Sequence, residues 1–236
     1  FFLDATAQRS VVNPLLFSVG AISLELLFGT IIALLLYRLP FTTASIIRPL
    51  ITIPLLISPI VVGLIWRYIY DPQGILYWFM SLFGLSIEHF PGVTASSTAL
   101  ISTRIAHAWQ VVPFVVIVLT AGLVSIPIEL YEAAYIDGAN GVNVFFRITF
   151  PLLLDVYMVV LLISGVDTIK VFDVIYSLTG GGPNNSTISI SIYAFNQAFM
   201  QSHMSYAMAL SVIAMIITFG VFGIPFVRRN RARSIG

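Results

Sequence analysis

Apolar residues in this chain fall in long blocks separated by short polar stretches, rather than in the alternating or four-residue rhythm of a water-facing domain. Five blocks are long enough to cross a bilayer as helices: residues 14–37, 45–70, 99–124, 151–176 and 204–227. A crossing helix needs about 20 mainly apolar residues, because its backbone polar groups must find partners inside the helix once water is gone. Glu25 alone interrupts the first block. The second carries Pro49, Pro54 and Pro59, which predicts kinked or broken turns with freed backbone carbonyls. Residues 75–85 are apolar but short, and read as an interfacial helix. Turn chemistry marks the loops at Asp71-Pro72-Gln73-Gly74, Pro91-Gly92 and Gly180-Gly181-Gly182-Pro183-Asn184-Asn185. The predicted fold is all-α, a polytopic transmembrane helical bundle forming a single domain over residues 1–236. About five spans lie in this chain. The first residue is Phe1 rather than Met, so an earlier segment is expected, and a span within it would bring the total to six or more.

Composition agrees with lipid as the main solvent. The 236 residues are 58% hydrophobic and 9% charged, whereas soluble domains are about a quarter charged. With 11 basic and 10 acidic residues the net charge is +1, which offers no general grip on nucleic acid. There is no cysteine, so disulfides, thiolate metal sites and thiol nucleophiles are excluded. His89, His107 and His203 are scattered without metal-ligand spacing. No nucleophile motif surrounds a serine, and the chain reads as a non-catalytic subunit. A Walker loop needs Gly-Lys followed by Ser or Thr. The only lysine is Lys170, after Ile169, so any ATP site and its magnesium belong to another polypeptide, and no cofactor is expected here. Arg38, Arg48, Arg147 and the tail arginines Arg228, Arg229, Arg231 and Arg233 fall on one side if the five spans alternate. The positive-inside bias makes that side cytoplasmic, with the C-terminus inside.

The longest inside loop, residues 126–151, has a helix of about ten residues in it: Pro127 at its start, Glu129 and Glu132 in the positive early turns, and Gly138 with Gly141 as a stop. Asn143 is placed to cap a second short helix that Pro151 bends into the next span. Ala133 and Ala134 give the first helix a smooth face. A connector resting on headgroups is the plain alternative, although such helices carry basic polar faces and this one is acidic. The series Glu132-Ala133-Ala134, Gly138 and Ile148-Thr149-Phe150-Pro151 resembles the EAA loop of the membrane subunits of binding-protein-dependent ABC importers, with Phe150 departing from the usual leucine. The resemblance implies a cytoplasmic coupling helix that docks on an ATPase subunit. Glu132, Ala133, Ala134, Gly138, Ile148 and Pro151 are the residues that carry it. Leu178 to Thr187, Ser205 to Leu210, and Pro54 to Gly74 are similar to carbohydrate-uptake permeases of the maltose-permease F-like kind.

Charges retained inside spans are costly and usually face a cavity or a partner. Glu25, Arg104, His107, Asp155, Asp167, Lys170 and Asp173 are such groups. Ser164, Asp167, Thr168 and Val171 repeat at helical spacing, as do His107, Gln110, Val111 and Phe114. Both stripes mix hydroxyl-bonding groups with apolar faces, as a sugar site requires. The resembling permeases bind sugar on these two helices. Packing and back-bonding to the helix are the plain alternatives, and Asp167 with Lys170 would then simply neutralise each other. The resemblance implies a half-pore working with a second homologous permease, an ATPase dimer and an extracytoplasmic sugar-binding protein. It places the chain in a bacterial or archaeal cytoplasmic membrane, moving its cargo by alternating access. Rival readings are the same machine carrying a polyamine, phosphonate or glycerol-phosphate ester, with Arg104, His107 and Lys170 attracting an anion. An ion-coupled carrier using Asp167 and Lys170 is a further one.

Overall fold

The computed structural model describes residues 4–85 and 92–224. The basic tail from Arg228 to Arg233, the last residues of the fifth apolar block, His89 and Pro91 lie outside them. The described residues form helices joined by short turns: α1 (Ala5–Arg38), α2 (Phe41–Leu56), α3 (Pro59–Ile69), α4 (Ile75–Leu82), α5 (Ser96–Val124), α6 (Ile128–Ile136), α7 (Gly141–Val144), α8 (Phe150–Ile169), α9 (Asp173–Thr179), α10 (Ile190–Phe195) and α11 (Met204–Thr218). Short π-helical turns follow α7, α10 and α11. Four stretches are long and apolar enough to cross a membrane. α2 and α3 make a fifth if taken as one span, although they meet at 96°. The chain is a multi-pass helical membrane protein.

α1 begins well before the apolar block that announced it. The Asp4 carboxylate accepts from the Thr6 and Ala7 amides at 2.9 and 3.3 Å, capping the first turn. At 34 residues the helix is about 50 Å long, so its ends extend past a hydrocarbon core of about 30 Å. Tyr193 of α10 donates to Asp4 Oδ2, and this bond holds the carboxyl below the ordinary carboxylate range. A depressed pKa means that the contribution is present above the unfolded value and lost as pH falls through the folded one. Asp4→Asn is therefore expected to lower Tm at neutral pH, with wild type and variant converging below about pH 4, as thermal unfolding in detergent would show.

α1 lies along α5, and α8 packs against both. Ala33, Val115, Leu119, Leu123, Leu153 and Val160 form one buried cluster. Phe17, Ala21, Ile175, Ile190, Ile192 and Leu210 form a second, toward the N-terminal end of α1. Outward faces carry Leu27, Ile31, Met208, Val212 and Met215, which suits solvation by lipid.

One expectation is refined and one corrected. The second block is broken, as its prolines predicted, and the break falls at a single place. Pro49 and Pro54 lie within α2, and the chain breaks only at Ile57 and Ser58, both with ψ of 135°. The residue before a proline avoids the helical region, and Pro59 then starts α3. The fourth span ends at Ile169 rather than near Tyr176. Lys170 caps it, its carbonyl accepts from Ser191 Oγ at 2.9 Å, and α9 restarts with Asp173 in its first turn.

Candidate functional site

The break between α2 and α3 is held by α5. Gln110 Nε2 donates at 2.8 Å to the Ile57 carbonyl, which is released where Ile57 and Ser58 leave the helical conformation. Beside it lies a cavity of about 440 Å³ whose wall includes Pro59, His107, Gln110, Val111, Asp167, Lys170, Val171 and Asp173. An adjoining cavity of about 420 Å³ shares Leu55, Val111, Asp167 and Lys170, and adds Phe114 and Ser164. Seven of the eight residues singled out on the two stripes thus line one of two adjoining spaces.

The eighth, Thr168, is spent on its own helix. It is buried, and its Oγ1 donates to the Ser164 and Gly165 carbonyls at 2.8 and 3.1 Å. Val171 reaches the cavity wall from beyond the end of α8, so the stripe is not one continuous helical face. Asp167 and Lys170 face each other at 3.9 Å with side chains 54% and 63% exposed. At that exposure an ion pair contributes little to stability, and both groups stay available to a cavity occupant. Arg104 is turned away: its Nη2 donates to the Leu16 carbonyl on α1, and it lines neither space.

Behind the wall lies a contact that stripe reasoning did not assemble. Glu25 on α1 is fully buried, and its Oε1 is 3.5 Å from His107 Nε2. Spacing templates compare positions on one helix, whereas this pair joins two. The only available signal was a lone acid in an otherwise apolar block.

The loop after α5 forms the expected pair of short helices with altered caps. Pro127 precedes α6 rather than opening it. Asn140, not Asn143, caps α7: the Asn143 amide donates to Asn140 Oδ1 at 2.8 Å. Asn143 occupies the helical position whose amide needs an acceptor, and Asn140 is three residues upstream to supply it. Gly138 has φ of +76°, and a side chain there would meet nothing within 4 Å. No residue of α6 is buried. Glu129, Glu132 and Ala133 are exposed and Ala134 half-buried, while Ile128, Tyr135, Ile136, Val142 and Phe146 form exposed apolar surface around them. Ile148 sits in the π turn and Pro151 in the first turn of α8. Tyr131 and Thr149 hydroxyls, 3.2 Å apart, tie α6 to that turn.

The chain thus combines a bent span, a polar-walled cavity beside it and an exposed helical loop with an apolar surface. The chain belongs to the family of binding-protein-dependent transport system inner membrane components, whose profile matches residues 25–233. It is 35% identical over 218 residues to the trehalose/maltose transport system permease protein MalF of Thermococcus litoralis, covering 92% of this chain and 72% of that one. It is 32% identical over 181 residues to the sn-glycerol-3-phosphate transport system permease protein UgpA of Rhizobium meliloti, covering 76% and 61%. Its fold matches a chain of a bacterial ABC transporter involved in the import of the acidic polysaccharide alginate, with a TM-score of 0.85 at 20% identity, covering 98% of this chain and 81% of that one. The protein is a membrane permease subunit of an ATP-driven importer.

Proposed function

We propose that the cargo is a neutral sugar and that the paired cavities beside the α2–α3 break form part of its route. The wall supports this reading. Gln110, Asp167 and Lys170 offer hydroxyl-bonding groups, and Leu55, Val111, Phe114 and Phe172 offer apolar faces, the mixture that orients a sugar. Asp167 and Asp173 oppose the single cation Lys170, and Arg104 bonds to α1. That charge balance disfavours an anionic cargo such as a phosphonate or glycerol-phosphate ester.

In this reading α6 is the coupling helix, with Glu132, Ala133, Ala134 and Gly138 at its docking core and Ile148 and Pro151 transmitting its movement to α8. An ATPase dimer holding ATP and magnesium docks there, from the cytoplasmic side. A second homologous permease completes the pore, and an extracytoplasmic sugar-binding protein delivers cargo to the opposite face. The membrane is the bacterial or archaeal cytoplasmic one, and the C-terminus is cytoplasmic.

The test is uptake by the assembled importer in proteoliposomes, with trehalose, maltose, sn-glycerol-3-phosphate and putrescine as the panel. ATP-dependent uptake of a neutral sugar is expected, together with loss of most of that uptake in Val111→Trp, which fills the space shared by both cavities. Uptake of only the phosphate ester or the polyamine would overturn the cargo assignment. Uptake driven by an ion gradient without ATP would overturn the coupling.

A further inference from the structure

Glu25 and His107 form a buried polar contact that packing alone does not explain. Both carboxylate oxygens of Glu25 and both ring nitrogens of His107 lack a hydrogen-bond partner, and Phe17 closes the site with its ring 5.3 Å from the imidazole. Ser164 of α8 neighbours the same carboxylate, and its hydroxyl is also without a completed bond. Asp167 is the further charged group that acts on both Glu25 and His107, from its place beside Lys170. Arg104, one turn before His107 on α5, is committed to α1. A buried carboxyl group needs a polar neighbour, and His107 is the group nearest to it. His107 belongs to the wall of one cavity and Ser164 to the wall of the other. Glu25 therefore stands directly behind two wall groups contributed by two different helices.

We infer that Glu25 is a positioning residue for the cargo cavity, fixing the His107 imidazole, and with it the Ser164 side of the wall, from behind. A ring held on one side by a buried partner keeps one orientation, and so keeps the shape of the wall it forms, as happens when outer ligands orient the inner ones of a binding site. This inference rests on the reading that the cavities carry cargo.

The experiment measures KM and maximal rate of ATP-dependent uptake in proteoliposomes for the panel sugar that wild type transports. Glu25→Leu, which fills the volume without polar atoms, is expected to raise KM about tenfold, a loss of about 1.4 kcal/mol in cargo binding, with a smaller change in maximal rate. Glu25→Gln keeps an oxygen facing His107 and is expected to recover most of the loss. A purely space-filling role predicts the reverse, because apolar residues commonly replace buried ionic groups without penalty. In a His107→Leu background, adding Glu25→Leu is expected to change KM no further, since the two act as one unit. That double variant has an uncharged interior and serves if Glu25→Leu alone does not assemble. A Glu25→Leu KM equal to wild type, or an effect that adds in full to His107→Leu, would overturn the positioning role. Val111→Trp separates the layers: blocked uptake there with normal Glu25→Leu kinetics refutes this inference alone. Normal uptake in both variants, or no uptake of any panel sugar by wild type, refutes the cavity reading with it.

Discussion

Gly138→Pro is expected to leave the permease in the membrane, to abolish co-purification of the ATPase subunit, and to reduce ATP-driven uptake to background. Three features of one residue combine. Its φ of +76° is closed to proline, which holds φ near −65°. Its amide donates to the Tyr135 carbonyl at 3.1 Å, a bond proline cannot make. Asp137 caps α6 in a near-helical conformation, which a following proline disfavours. The turn between α6 and α7 would therefore open, and the Glu132-Ala133-Ala134 face would no longer be presented on a fixed helix end. Gly138→Ala isolates the backbone effect, because its Cβ meets nothing within 4 Å. It should cost only the left-handed strain of about 1–2 kcal/mol and retain measurable uptake. Normal ATPase binding and uptake in the proline variant would contradict the docking role of α6.

The second large effect is expected at Gly63, where α3 passes against α9. A Cβ at this position would lie 1.9 Å from Ser177 Oγ and 2.8 Å from the Val174 carbonyl. Gly63→Val must separate the two helices, and the variant is expected to accumulate poorly and to melt at a markedly lower temperature. Overpacking of this kind costs about 1–3 kcal/mol or more. The site suffers with the fold, because this contact brings Pro59 of α3 and Asp173 and Val174 of α9 to the cavity wall. Gly63→Ala combined with Ser177→Ala should be better tolerated than Gly63→Ala alone, since the closest obstacle is then gone while the carbonyl remains. Thermal unfolding of the purified complex distinguishes these variants, and equal melting of Gly63→Ala with and without Ser177→Ala would show that the close approach is not what limits stability.

Much of the architecture could be read from block length alone, because hydrocarbon permits so few backbone arrangements. The spans, the short helix after residue 74, and the loop with helices on either side of Gly138 all follow from apolar length and turn residues. Boundaries set by capping were less legible. Asp4 extends α1 well beyond its apolar block through two amide bonds and Tyr193, none of which leaves a hydropathy signal. α8 stops at Ile169 because Ser191, distant in sequence, takes the Lys170 carbonyl. Seven of the eight stripe residues line the two cavities, in keeping with the cost of scattering polar groups through a span. What escaped was the depth of the site. Thr168 satisfies itself on its own helix, Arg104 is drawn to Leu16, and Glu25 meets His107 only because α1 lies on α5. Each of these depends on which helices are neighbours, and helical periodicity carries no record of that.

The absence of cysteine from the chain permits one direct measurement of the coupling role and of the orientation together. A single Ala133→Cys variant places a thiol on the exposed face of α6. Its reaction with a membrane-impermeant maleimide is followed in right-side-out and inverted vesicles, with and without the ATPase subunit. The predicted result is labelling only in inverted vesicles, and protection when the ATPase is bound. Labelling from the extracytoplasmic side, or equal labelling with and without the ATPase, would contradict the assignment of this loop as the point where ATP hydrolysis grips the permease.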